Sequence, residues 1–349
     1  MEIAKVEFRL TAATDVGFSR KHNEDNFTVN ADLTQPDWLI PEVTTEPLVL
    51  GKYGCVFCVA DGMGGQNAGE VASAIAVSEV ARLFREADLE LVSRDESKIE
   101  SFLTNLIRKA DKSIRKHAKE DPTSKGMGTT IILVWVIGCR AHLAWCGDSR
   151  AYIFNKNTGL NRFSKDHSYV QELVDKGLLD ESLAFDHPDS NIITRCLGDF
   201  PAEVKPEYKS YYLQKDDFIL LCSDGLCGYC RDEEIENVMV QTSDDIYSCN
   251  QKLIEAALNA GGYDNVTTAL FQLVSYSKVI AEENIPSAQA TTNNEKPAEA
   301  IEPDTVQFKP KDKKKGMSIL TKLLIFIILV LAIIFILFKF DVINMSSAN

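Results

Sequence analysis

The sequence predicts an α+β domain of layered sheets and helices, followed by a linker and one membrane-spanning helix. Three observations carry this reading. Apolar strand-like runs cluster in meander-like succession, and the long amphipathic patterns come in pairs instead of alternating with each strand. A near-continuous apolar run of twenty residues lies close to the C-terminus, behind a stretch too polar to bury a core.

Each element has a local reason. Residues 6–12 alternate as a strand with one buried face, and residues 49–59 form a second apolar run. Residues 68–87 read as a helix with Ala72, Ala76, Val80, Leu83 and Phe84 on one side. Ile99, Phe102, Leu103, Leu106, Ile107, Ala110 and Ile114 keep the three-to-four spacing of a second helix. Strands are expected over residues 129–137, 142–145, 151–155 and 218–222. Helices are expected over 232–240 and 244–260, with a last strand over 266–274. Residues 1–275 form the globular domain.

Beyond it, residues 277–307 contain no aromatic residue and include Pro286, Pro297 and Pro303, so residues 276–316 read as a solvated linker ending in a lysine-rich segment. Residues 319–338 are interrupted only by Thr321 and Lys322. Twenty helical residues span about 30 Å, the thickness of a bilayer core. The lysine cluster precedes this run and only Lys339 follows it within the chain's charged flank. The positive-inside rule then places the globular domain in the cytoplasm, as a single-pass, tail-anchored protein with residues 339–349 as a short tail.

Charge narrows the function classes. The chain of 349 residues carries net charge −14, and residues 1–275 hold 28 of its basic and 43 of its acidic residues. So acidic a domain is a poor general binder of nucleic acid, and no nucleic-acid partner is expected. Nine cysteines without an apolar leader read as reduced thiols. The pairs Cys55/Cys58 and Cys227/Cys230 have zinc-site spacing, but read better as small buried hydrophobes.

The acids that matter stand where strands end. Asp15 ends the first, Glu24-Asp25 follow within a turn, and Asp61-Gly62 ends the run 53–60. Asp148, Asp224-Gly225 and Asp264-Asn265 occupy similar places. One Asp-Gly pair is a turn signal. Several at the mouths of buried strands would form, if they converge, an oxygen-rich cage for a hard divalent ion.

The segments carrying these acids resemble the signature motifs of the metal-dependent Ser/Thr protein phosphatases, type 2C. They are TDVGFSRKHNEDNF (14–27), VADGMGGQNAGEVAS (59–73), GMGTT (126–130), GDSRAY (147–152), KDHS (165–168), ITRCLG (193–198), CSDGL (222–226) and GGYDNVT (261–267). They occur in the family's order over nearly all of residues 8–275, most like its compact bacterial-type branch. The resemblance implies a four-layer αββα sandwich of two antiparallel sheets flanked by helix pairs. It implies two divalent ions, Mn²⁺ or Mg²⁺, with room for a third, weaker one. By the same carry-over Asp61 bridges the two ions and Gly62 offers its carbonyl. Asp224 and Asp264 complete the first ion's protein ligands, and Glu24 and Asp25 act partly through water toward the second. Asp148 with Asp224 holds the third, and Arg20 grips the substrate phosphate. Residues 169–207 would form a flap beside the site.

The implied activity is hydrolysis of phosphoserine and phosphothreonine in proteins by a metal-activated water, without a phosphoenzyme. Arg20 suits a phosphate because its planar fork makes parallel charge-assisted hydrogen bonds. No cysteine is followed by arginine at the sixth position, and GxSxG and HExxH are absent from the sequence. Met63 stands where some members have a proton-donating histidine. His22 is a weaker candidate for that role, and His167 is expected to shape a turn. Competing readings are an inactive member serving as a membrane-bound phosphoprotein-binding module, a small-molecule phosphohydrolase, and an acidic tail-anchored scaffold. The expected partners are phosphoproteins, among them a membrane Ser/Thr kinase or its targets, and membrane lipid through the C-terminal helix.

Overall fold

The computed structural model describes residues 5–38, 43, 46–64, 68–198 and 204–277. Its first sheet joins β1 (Val6–Asp15), β3 (Leu48–Val49), β8 (Arg150–Asn155), β9 (Gly159–Arg162), β12 (Phe218–Cys222) and β13 (Val266–Tyr276), in the order β3-β1-β13-β12-β8-β9. The second contains β2 (Asp25–Asn30), β4 (Cys55–Met63), β5 (Gly128–Thr129), β6 (Ile131–Ile137), β7 (Arg140–Cys146), β10 (Leu197–Gly198) and β11 (Glu207–Tyr212). Its order is β10-β5-β4-β6-β7-β11, with β2 paired to β4. The paired strands of both sheets run antiparallel.

The sheets stack face to face, and three apolar layers result. Between the sheets, Phe8, Phe57 and Phe271 stack, with ring centroids 5.4 Å (Phe8–Phe271) and 6.0 Å (Phe57–Phe271) apart. The outer face of the second sheet is covered by α1 (Ala68–Glu86) and α3 (Glu96–Glu120), joined through the short α2 (Leu89–Val92). There Phe84 meets Trp135 edge-on at 5.2 Å and Phe102 at 5.0 Å. Over the first sheet lie α6 (Asp232–Thr242) and α7 (Ile246–Asn259), preceded by α5 (Asp224–Cys227). Each large side chain fully buried in these layers contributes about 1.5–3 kcal/mol. β4 reads as a continuous apolar run because it is covered on both faces. Cys55, Phe57 and Val59 point between the sheets, while Val56, Cys58 and Ala60 point at the helices. The same alternation puts Cys55 and Cys58 on opposite faces, so that pair cannot share an ion. All nine cysteines are buried free thiols.

Several sequence expectations are corrected. The run 49–59 is not one strand: Gly54, at φ 78°, turns the chain between β3 and β4, and its N–H bonds the Gly51 carbonyl. β4 does not stop at Asp61 but continues to Met63, because β5 pairs with Gly62 and Met63. Asp25 does not lie in a turn but opens β2. β9 and β11 escaped the periodicity because they are edge strands, half exposed and without a clean alternation. α4 (Tyr169–Asp175) lies at the start of the expected flap.

The expected linker began one residue too early, since Tyr276 ends β13 opposite Val6; the rest of it from residue 278, the lysine-rich segment, the membrane helix 319–338 and the tail lie outside the described residues. Among the described residues no helix is long and apolar enough to cross a membrane.

Candidate active site

Strand register brings the acids to one end of the sandwich. Asp25 and Asp61 are direct neighbours across β2 and β4, and Asp15 lies opposite Val266, two residues past Asp264. Asp148 follows β7, and Asp224 follows β12, whose last residue pairs with Thr268.

Asp61 and Glu24 are held through their backbone, and Asp25 through its carboxylate. The Asp61 carbonyl accepts from Thr130 N–H at 2.8 Å and from Thr129 Oγ1 at 2.8 Å, while its own N–H donates to Thr130 Oγ1 at 3.0 Å. That is the structural use of the GMGTT segment. The Glu24 carbonyl accepts from Gly62 N–H at 3.2 Å and Ser73 Oγ at 2.6 Å. Glu24 N–H donates to Asn265 Oδ1 at 2.8 Å, and Asn265 Nδ2 donates to the carbonyls of Val16 and His22 at 2.9 and 3.0 Å. One buried asparagine thus ties the whole 16–24 segment to the start of β13. Ser223 Oγ donates to Asp25 Oδ2 at 2.6 Å and accepts from Thr267 N–H at 3.0 Å. Asn265, Thr129, Thr130, Ser73 and Ser223 lay within the quoted motifs, but sequence reasoning gave them no role. For Ser223 and Asn265 the signal was a polar residue directly beside an acid, whereas Ser73, Thr129 and Thr130 stand far from the acids in sequence and gave none.

The side chains meet in pairs. Asp61 lies close enough to Asp224 for their carboxylates to repel, and Arg20 Nη2 pairs with Asp264 Oδ2 at 2.6 Å. Among the described residues no three His, Cys, Asp or Glu side chains are already gathered round one point. Burial raises the Asp61 and Asp148 carboxyls well above the usual range, and repulsion from Asp224 adds to it. Asp25 is pushed up to about 7, chiefly by burial, against the hydrogen bond from Ser223. Asp224 is raised by burial and by Asp264, and Glu24 by burial with Arg20 opposing. Burial alone would lower the Arg20 guanidinium, but its bond to Asp264 and the surrounding acids hold it above its ordinary value.

The arrangement fits hard divalent cations. Every candidate donor is oxygen. Asp148 is buried, and its Oδ1 has no hydrogen-bond partner. At neutral pH these acids repel one another in a poorly hydrated place, and a cation relieves that cost without protonation. Gly62 is required for the close approach of β4 and α1: a Cβ there would lie 2.2 Å from the Gly69 carbonyl oxygen and 2.5 Å from that of Glu24.

The remaining candidates lie apart from the cluster's chemistry. His22 is exposed and held through its carbonyl. Met63 ends β4 half-buried. His167 is buried against Trp145, and its Nδ1 accepts from Gly147 N–H at 3.1 Å, so it fixes the turn that presents Asp148.

Comparison with known proteins identifies the family to which this fold belongs. The family profile described as Protein phosphatase 2C matches residues 49–269. Serine/threonine phosphatase stp of Listeria welshimeri is 34% identical over 270 residues, covering 76% of this chain and 94% of that protein. Serine/threonine protein phosphatase PstP of Mycobacterium tuberculosis is 32% identical over 269 residues, 77% of this chain and 45% of that protein. The crystal structure of the PstP catalytic domain in complex with two manganese ions superposes with a TM-score of 0.61, at 30% identity, covering 77% of this chain and 100% of that one.

Proposed function

This chain belongs to the protein phosphatase 2C family and is a metal-dependent protein serine/threonine phosphatase, and on that premise we propose how its residues divide the work. The carrying observation is the convergence of carboxylates from separate chain segments at one end of the sandwich, beside an arginine. Asp61, the Gly62 carbonyl, Asp224 and Asp264 would hold one divalent ion. Asp61 would share a second with Glu24 and Asp25, and Asp148 with Asp224 would take a third, weaker ion. Two such ions, Mn²⁺ or Mg²⁺, supply Lewis acidity and a water acidic enough to attack phosphorus at neutral pH.

The chain's own groups bind and orient. Arg20 reaches Asp264 through Nη2 with its side chain half exposed, so the rest of its fork is free to take a phosphate oxygen. Asn265 holds the segment carrying Arg20 and Glu24 at a fixed distance from β13. Thr129 and Thr130 fix the Asp61 backbone, so that its carboxylate needs little reorganisation. With Met63 at the position after Asp-Gly, that side chain cannot protonate the leaving alkoxide.

The apolar run 319–338 behind a lysine-rich segment supports a tail anchor, with the phosphatase domain facing the cytoplasm and acting on membrane-associated phosphoproteins such as a Ser/Thr kinase or its targets. The central test is hydrolysis of a phosphothreonine peptide by the full chain with Mn²⁺, with Mg²⁺ and with EDTA. Activity is expected only with metal. It should fall by at least about a hundredfold in Asp61→Asn and Asp224→Asn, the scale of losing a centrally placed electrostatic group. Undiminished hydrolysis in either variant would overturn the ligand assignment.

A further inference from the structure

Helix α6 begins against its local rule. An N-cap position favours Ser, Thr, Asp or Asn, whose side chain accepts a backbone N–H, but this helix starts at Arg231, which has no acceptor. The cap is made in one direction only, Arg231 N–H donating to Glu234 Oε2 at 2.7 Å. The arginine side chain turns away instead. Its Nη2 donates to both carboxylate oxygens of Asp186, at 2.8 and 2.6 Å, and its guanidinium lies 4.3 Å from the ring centroid of Phe185. Both partners belong to the tip of the segment between α4 and β10. The base of that segment is fixed by the Ser168–Ile193 bridge and by Tyr169 N–H on the Ile192 carbonyl, whereas Arg231 ties its tip to the body.

Under this segment lies a cavity of about 450 Å³. Phe185, Glu181 and Asn191 line it from the segment, and Tyr229, Asp148 and Asp224 from the body. It therefore opens beside the metal-site acids, with the latched tip as its wall. A residue that gives up a local preference for a distant contact is expected at functional places.

We propose that Arg231 is a specificity-determining residue: its grip on Phe185 and Asp186 shapes a side cavity that receives the polypeptide flanking the phosphoresidue. This rests on the phosphoprotein phosphatase activity and adds a second subsite to it. The latch is reversible. The ion pair is exposed, and with one cation–π contact it favours the closed tip by only about three- to tenfold. A segment held that lightly opens for substrate entry and closes on the bound chain.

The test compares kcat/KM of the full chain for a phosphothreonine peptide with that for p-nitrophenyl phosphate, which has no flanking chain. Arg231→Ala and Asp186→Asn are each expected to lower the peptide-to-ester ratio about three- to tenfold through KM, and the double variant to lose no more than either alone. Arg231→Lys, which keeps the charge without the fork, should recover part of the ratio. An unchanged ratio, or an equal loss on both substrates, would overturn the proposal. Should Arg231→Ala fail to fold, Asp186→Asn on the exposed tip carries the comparison. Asp61→Asn, run alongside, must abolish both activities; if it does not, the metal-site assignment fails and not the latch.

Discussion

The acids at the mouth of the sandwich store a conflict that a cation resolves. Asp61 is raised by burial and by Asp224, Asp25 and Asp148, so ionising it without metal costs stability at neutral pH. Asp61→Asn should therefore raise the metal-free melting temperature by about 2–4 °C, the effect of about 1 kcal/mol in a domain of this size, while hydrolysis is lost. A lower melting temperature in differential scanning calorimetry would contradict the repulsion argument. Gly62 sits at the opposite extreme, where space and not charge decides. Its missing Cβ lets the Gly69 carbonyl approach, and Gly62→Ala should cost about 1–3 kcal/mol by overpacking. A urea midpoint equal to that of the unsubstituted chain would show that β4 and α1 can part at no cost.

Single groups also hold whole elements in place. Asn265 makes three hydrogen bonds to the 16–24 segment, each worth about 1 kcal/mol. Asn265→Ala should lower stability by about 2–3 kcal/mol and weaken Mn²⁺ binding in calorimetric titration, because Glu24 and Arg20 lose their common support. Unchanged metal affinity would place the positioning elsewhere. Strand β7 carries a pH-dependent contact. His142 is buried with Nδ1 2.8 Å from the Tyr208 hydroxyl on β11, and burial, with Arg140 beside it, lowers its pKa to about 4. Its folded value lies below the unfolded one of about 6.5, so its contribution is complete above pH 6.5 and is lost as pH falls toward 4. At most about 3 kcal/mol is involved. The stability difference between wild type and His142→Gln should shrink over that window; a difference independent of pH would rule out this linkage.

On the scale of the molecule, residues 1–275 carry 28 basic against 43 acidic residues. That field attracts basic segments and repels acidic ones. Lysine-flanked phosphothreonine peptides should show a lower KM than glutamate-flanked ones, and the gap should narrow at about 1 M salt, where the Debye length is near 3 Å. Equal KM values at low salt would leave the charge to solubility alone. The proposed anchor makes a separate claim. Removing residues 309–349 should abolish flotation of the protein with phospholipid vesicles while metal-dependent peptide hydrolysis persists. Flotation that survives the deletion would place membrane contact in the globular domain.

Much of this protein was written locally. The two helices over the second sheet, the buried central strands and the final strand follow from short-range periodicity, because each has a continuous face in a core. The acids stood out for a different reason: one carboxylate beside Gly, Ser or Asn after an apolar run is a turn signal, several in one chain suggest a shared site, and the resemblance to the family gave them roles. Tertiary structure decided what contacts across long separations can decide. It set Asp25 opposite Asp61, paired Arg20 with Asp264 across the chain, and split residues 48–63 into two strands of different sheets. It revealed β9 and β11, whose half-exposed edges leave no periodic trace. It also turned Arg231 from a poor helix start into the tie on a distant loop. Periodicity records which face of an element is buried, but the partner that buries it is chosen by packing of the whole chain.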